Sequence, residues 1–118
     1  MMNVLFVVLN KTEYLEDVLD AFVDIGITGA TIMDSQGMGS AMTDVNSTGA
    51  PFYGVLKNML EDSRPYNKTI FTVIQGDELL EEAVTKVKNI VGDIHEPGVG
   101  IMFTVPVGNT YGFTPTSL

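Results

Sequence analysis

Residues 26–39 read GITGATIMDSQGMG, and the fold of the chain turns on how this stretch is taken. Gly26 stops an amphipathic segment, where a glycine in the left-handed region releases a helix. Thr28–Gln36 then reads as a strand, through Thr28, Ala30, Ile32 and Asp34. Gly37 and Gly39 end it, and beyond them the pattern changes for nearly thirty residues. A strand ending in Gly-x-Gly leaves backbone N–H groups free in a flexible turn. That suits either close approach of a ligand or a plain turn at a sheet edge.

Upstream, Val4–Leu9 (VLFVVL) is a continuous apolar run rich in β-branched residues, as in a strand buried on both faces. Thr12 is a plausible N-cap for a helix over Glu13–Ile25. That segment places Tyr14, Leu15, Val18, Leu19, Phe22 and Val23 at spacings of three and four. Glu13, Glu16, Asp17, Asp20 and Asp24 form its acidic outer face.

Downstream, Gly37–Gly49 is loop-like in composition, and Pro51 is suited to the first turn of a helix. Phe52, Val55, Leu56, Met59 and Leu60 follow at helical spacing, until Arg64-Pro65 closes the segment. A third strand is expected at Thr69–Gln75 and a second helix from Asp77 to Val91, stopped by Gly92. Residues 93–100 read as a turn-rich loop, Ile101–Val107 as a fourth strand, and 108–118 as a loosely held polar tail.

The order is β-α-β, excursion, β-α-β. Two right-handed units interleaved in one sheet give an α+β, ferredoxin-like βαββαβ sandwich. Its sheet is four-stranded and antiparallel, with a long loop holding a short helix between strands 2 and 3. Residues 1–118 are expected to form one domain, with residues 37–66 as the excursion.

Bulk properties narrow the function. Fifteen acids against six bases give a net charge of −9, which leaves no basic surface for a phosphate backbone and sets nucleic acid aside. No apolar run approaches the roughly 18 residues of a membrane span, and MMNVLFVVLNKTEY lacks the basic start of a signal peptide. A soluble, cytoplasmic chain without membrane insertion is expected. Zero cysteines exclude disulfides, thiolate nucleophiles and zinc-thiolate sites. The single histidine, His95, has only Glu96 beside it, short of the three or four ligands of a metal site. No nucleophile–base arrangement is visible, so a non-catalytic role is expected.

The chain resembles the PII nitrogen-regulatory signalling proteins. Gly26-Ile27-Thr28-Gly29-Ala30-Thr31 is similar to that family's Gly-Ile-x-Gly-Met-Thr segment. Gly37-Met38-Gly39 is similar to the Gly-Phe-Gly that ends its second strand, and Pro106 in VPV to its closing strand. The likeness runs from residue 3 to about residue 107. It implies a homotrimer that binds ATP or ADP, often with 2-oxoglutarate, in clefts between subunits. It also implies a loop, here residues 37–66, that docks on an enzyme, a transporter or a transcription regulator.

Carried onto this chain, the resemblance implies a small-ligand cleft of Thr31, Gly37, Met38, Gly39, Gly98 and Gly100, with ATP, ADP or AMP as candidates. The chain departs from the family's pattern in three stretches. Ser40-Ala41 stands where an Arg-Gln pair follows Gly-Phe-Gly, and Gly100 stands for a phosphate-binding lysine. Residues 108–118 contain no basic residue where the family has arginines. A triphosphate is normally neutralised by such groups. Two other readings stay open. One is a divalent-cation-tolerance trimer of the same shape, working through acidic residues. The other is a ligand-free structural trimer in which the helix at Pro51–Leu60 fills the cleft.

Overall fold

The computed structural model describes residues 1–38 and 66–114. Strand β1 (Met2–Leu9) leads through a short 3-10 turn at Thr12–Tyr14 into helix α1 (Leu15–Asp24). Strands β2 (Ala30–Gln36) and β3 (Tyr66–Gln75) follow, then helix α2 (Asp77–Val91) and strand β4 (Gly100–Pro106). The strands form one sheet in the order β2-β3-β1-β4, and each neighbouring pair is antiparallel. Each helix therefore crosses over one intervening strand, which is the interleaved, ferredoxin-like arrangement expected of two βαβ units. The helix expected at residues 51–60, with most of the excursion, lies outside the described residues.

Local chemistry explains the element ends. Gly26 takes φ +95° just past α1. Its N–H donates to the Val23 carbonyl at 3.0 Å, and the Ile27 N–H donates to the Phe22 carbonyl at 2.8 Å. These two bonds form the Schellman motif, completed by Phe22 and Ile27 in the core. This turn uses up Ile27 to Gly29, so β2 starts at Ala30, two residues later than the alternation from Thr28 suggests. Thr12 is no side-chain cap; it opens the 3-10 turn, and α1 begins after it. Strand β3 starts three residues earlier than expected, because Tyr66, Asn67 and Lys68 pair with Gln36, Ser35 and Asp34.

The two faces of the sheet differ. Leu5, Val7, Leu9, Ile70 and Ile74 point to one face and are fully buried with Val18 and Phe22 of α1 and Ala83, Val87 and Val91 of α2. Burial of such side chains stabilises by about 1.5–3 kcal/mol each. The alternate residues Val4, Phe6, Val8, Phe71 and Val73 are only half-buried, and Ile101, Phe103 and Val105 are exposed. In a single chain β1 is thus buried on one face, and not on both as its unbroken apolar run suggests.

The described residues after β4 are held at two places. The Val107 N–H donates to the Met2 carbonyl at 3.0 Å, extending the pairing with β1. Phe113 is half-buried, and Gly112–Thr114 lies against the α1–β2 junction and the end of β3.

Candidate functional site

The open face carries a row of aromatic rings set by strand register. Phe6 pairs with Phe71 on β3 and with Phe103 on β4. Its ring stacks on Phe103 with centroids 4.9 Å apart and planes 10° apart, and meets Phe71 at 5.7 Å and 31°. Offset stacking of this kind adds about 0.5–1.5 kcal/mol per pair beyond area burial. Thr31 continues the row beside Phe71. The next rows are Val73–Val4–Val105 and Met33–Thr69–Val8–Ile101. Phe103 remains 44% exposed.

At the root of the excursion the same face becomes polar. The Ser35 hydroxyl lies 2.8 Å from the Thr69 hydroxyl and 3.3 Å from the Asn67 carbonyl, and it also meets the Asn67 side-chain amide oxygen. The Asn67 amide donates to Asn10 Oδ1 at 3.3 Å. This cluster ties the two strands entering and leaving the excursion to the end of β1. Behind it, on the helix side, Lys68 pairs with Asp34. Lys68, the base nearest the excursion among the described residues, is therefore partnered. Arg64 and Lys57 lie outside those residues.

Of the six residues singled out from the sequence, the five described ones do not converge within one chain. Thr31 and Gly37 lie on or just beyond the β2 edge, six residues apart, which is about 20 Å of extended chain. Met38 follows Gly37, exposed, and Gly39 lies outside the described residues. Gly98 and Gly100 sit at the opposite edge, where Gly100 pairs with Leu9. Leu9 in turn pairs with Lys68, and Lys68 with Asp34. Gly100 is thus three strand spacings, about 14 Å, from β2.

Gly100 has a geometry that the sequence does not announce. Its φ is +150°, and a Cβ built there would overlap the Val8 carbonyl oxygen. A lysine at this position would need the backbone of β1 and β4 to move apart. The pairing of β1 with β4 thus leaves no room for a side chain at residue 100.

His95 lies in the loop before β4, its backbone N–H bonded to Asp93 Oδ1 at 3.0 Å. It lines a shallow pocket with Lys88, Met102 and Phe103. Among the described residues no group of three or more His, Cys, Asp or Glu side chains is placed to hold a metal. No described helix is long and apolar enough to cross a membrane.

The aromatic row and the polar root escaped sequence reading because each needs the register of three strands. The available signal was the alternation of Phe and Val in VLFVVL, TIFTVIQ and IMFTV, which marks two apolar faces without saying which strands adjoin.

A four-stranded antiparallel sheet with two helices on one face and a long β2–β3 excursion at one end is an α+β, ferredoxin-like architecture. Residues 2–116 match the family Nitrogen regulatory protein P-II, and the chain belongs to that family of regulatory proteins. Solved structures of similar fold include Arabidopsis thaliana PII bound to citrate. It is 18% identical with a TM-score of 0.59, over 90% of this chain and 77% of that one. B. subtilis GlnK is 17% identical with a TM-score of 0.61, over 92% and 87%. The B. subtilis GlnK–ATP complex is 16% identical with a TM-score of 0.58, over 92% and 84%. No curated protein sequence matches the chain.

Proposed function

We propose that this chain works as a cytoplasmic homotrimeric regulator in nitrogen metabolism, holding a small effector between subunits and signalling to a partner through residues 37–66. The partner is an enzyme, a transporter or a transcription regulator. The observation that carries this reading is the open apolar face, with Phe71, Phe6 and Phe103 in one row. Contiguous apolar surface of this kind calls for a protein partner, and closed symmetric association of identical chains covers it without leaving an edge.

The site reading is consistent with the same assembly. Of the residues implied for the cleft, Thr31, Gly37 and Met38 lie on or just beyond one edge of the sheet, and Gly98 and Gly100 at the other. Residues on opposite edges meet only where neighbouring copies bring those edges together. An effector in such a cleft touches the root of the excursion, so its occupancy biases the excursion between arrangements a partner distinguishes. ATP, ADP and AMP are the candidate effectors, since a GlnK of similar fold forms a complex with ATP. Gly100 and the net charge of −9 favour those with fewer phosphates.

Light scattering on the eluting protein and calorimetry with ATP, ADP and AMP test both halves. A mass of about three times 12.8 kDa is expected, with saturable heat from at least one nucleotide. A monomer mass overturns the trimer, and no heat with any of the three removes the nucleotide.

A further inference from the structure

On the helix side of the sheet, a pocket of about 320 Å³ lies between the C-terminal half of α2, the loop before β4 and β4 itself. That is the small end of the range of ligand sites. Leu5, Val84, Ile94 and Met102 give it an apolar floor. Leu5 is fully buried, and Met102 pairs with the fully buried Val7, so both face the helices. Lys88, one turn after Val84 on α2, and His95 stand at its edge, both exposed.

The loop before β4 fixes the place of His95. Its backbone N–H donates to Asp93 Oδ1 at 3.0 Å, and the Glu96 N–H donates to the Asp93 carbonyl at 3.1 Å. Val99, 3% exposed, anchors the far end, and its carbonyl accepts from the Asn10 N–H at 3.2 Å. Charge decides what such a pocket takes. The chain has fifteen acids against six lysines and arginines and one histidine, yet a lysine and that histidine share this edge. None of the described lining residues is acidic, and among the described residues Lys88 is in no ion pair. An aliphatic chain suits the floor, and one carboxylate suits the ammonium and imidazole donors at the edge. The C-terminal end of α2 carries about half a negative charge, which the Lys88 ammonium exceeds. A polyanion there meets the field of the whole chain, with only these two groups to offset it.

We propose that this pocket binds a small aliphatic monocarboxylate, with the chain against Leu5, Val84 and Met102 and the carboxylate between Lys88 and His95. Thr31, Gly37, Met38, Gly98 and Gly100 are not among its lining residues. The pocket also lies on the opposite side of the sheet from the stacked rings of Phe6 and Phe71. The inference therefore goes beyond the function proposed above.

His95 is the one histidine of the chain, so its imidazole Cε1–H gives a single NMR signal in the tag-free protein. Hexanoate, added at fixed pH and ionic strength, is expected to shift that signal saturably, with half-saturation on the order of millimolar. Acetate lacks the chain and is expected to bind at least about tenfold more weakly. Hexanol lacks the charge and is expected to bind about fivefold more weakly than hexanoate. Lys88→Gln is expected to weaken hexanoate about fivefold, with hexanol binding and thermal unfolding unchanged. No saturable shift with hexanoate, equal affinity for acetate and hexanoate, or an unchanged hexanoate affinity in K88Q each overturns the proposal. The signal reads the same in a monomer or a trimer and needs no nucleotide, so its outcome is separate from that of the function proposed above.

Discussion

The two faces of this sheet are made by the same four strands and have opposite fates. On one, Leu5, Val7, Leu9, Ile70 and Ile74 meet the stripes of α1 and α2 and lose all contact with water. On the other, Phe6, Phe71 and Phe103 pack on one another and stay partly wet. Apolarity does not separate them, since β1 is apolar along nearly its whole length. The difference lies in what each face has to pack on. The two described helices cover one face, and the other stays partly exposed.

Substitutions probe that contrast, beginning where the effect is greatest. Phe22→Ala, on the covered side, is expected to lower stability by about 3–5 kcal/mol, since it leaves a cavity in a closed core. Urea denaturation measures it. A loss below about 1 kcal/mol would mean that the helices cover their face loosely. Gly100→Ala tests the seam between β1 and β4 and is expected to cost about 2–3 kcal/mol, because of its φ of +150° and the overlap with the Val8 carbonyl. A neutral result in the same assay would mean that β4 readily moves away from β1.

Phe103→Asp, on the open face, is expected to change the stability of an isolated chain by only about 1 kcal/mol. It is nonetheless expected to convert the assembly to monomers, as read by light scattering. An unchanged mass would locate association elsewhere. Gly26→Ala, in the turn that ends α1, is expected to cost about 1 kcal/mol by thermal unfolding, because alanine resists φ +95°. Asp34→Asn removes a pair whose aspartate side chain is 77% exposed. It is expected to change stability by no more than about 0.5 kcal/mol. A larger loss would show that the root of the excursion depends on that charge.

Much of the fold was legible along the chain because its elements are strongly periodic. The stripe from Leu79 to Val91 marks α2 at both ends, and Gly26 is where a helix stop was expected. The misreadings fall where pairing partners decide. Tyr66–Lys68 is polar enough to pass for loop, yet it is strand because Asp34–Gln36 lies opposite. Phe113 sits in a polar tail by composition, and only the return of the chain toward Gly29 and Thr72 half-buries it. The candidate cleft was the least legible part. Its glycines resemble a family pattern, and nothing in their linear order says that Gly37 and Gly100 stand on opposite edges of the sheet.

By itself the sequence determined the element order, the interleaved topology and the absence of a basic surface. These follow from local periodicity, from the handedness of βαβ units and from a count of charges. The tertiary structure decided which apolar face of the strands stays open, where the polar root of the excursion is tied, and that Gly100 admits no side chain. Each of these depends on register between strands brought together from across the chain, and a shift of one residue would exchange the two faces.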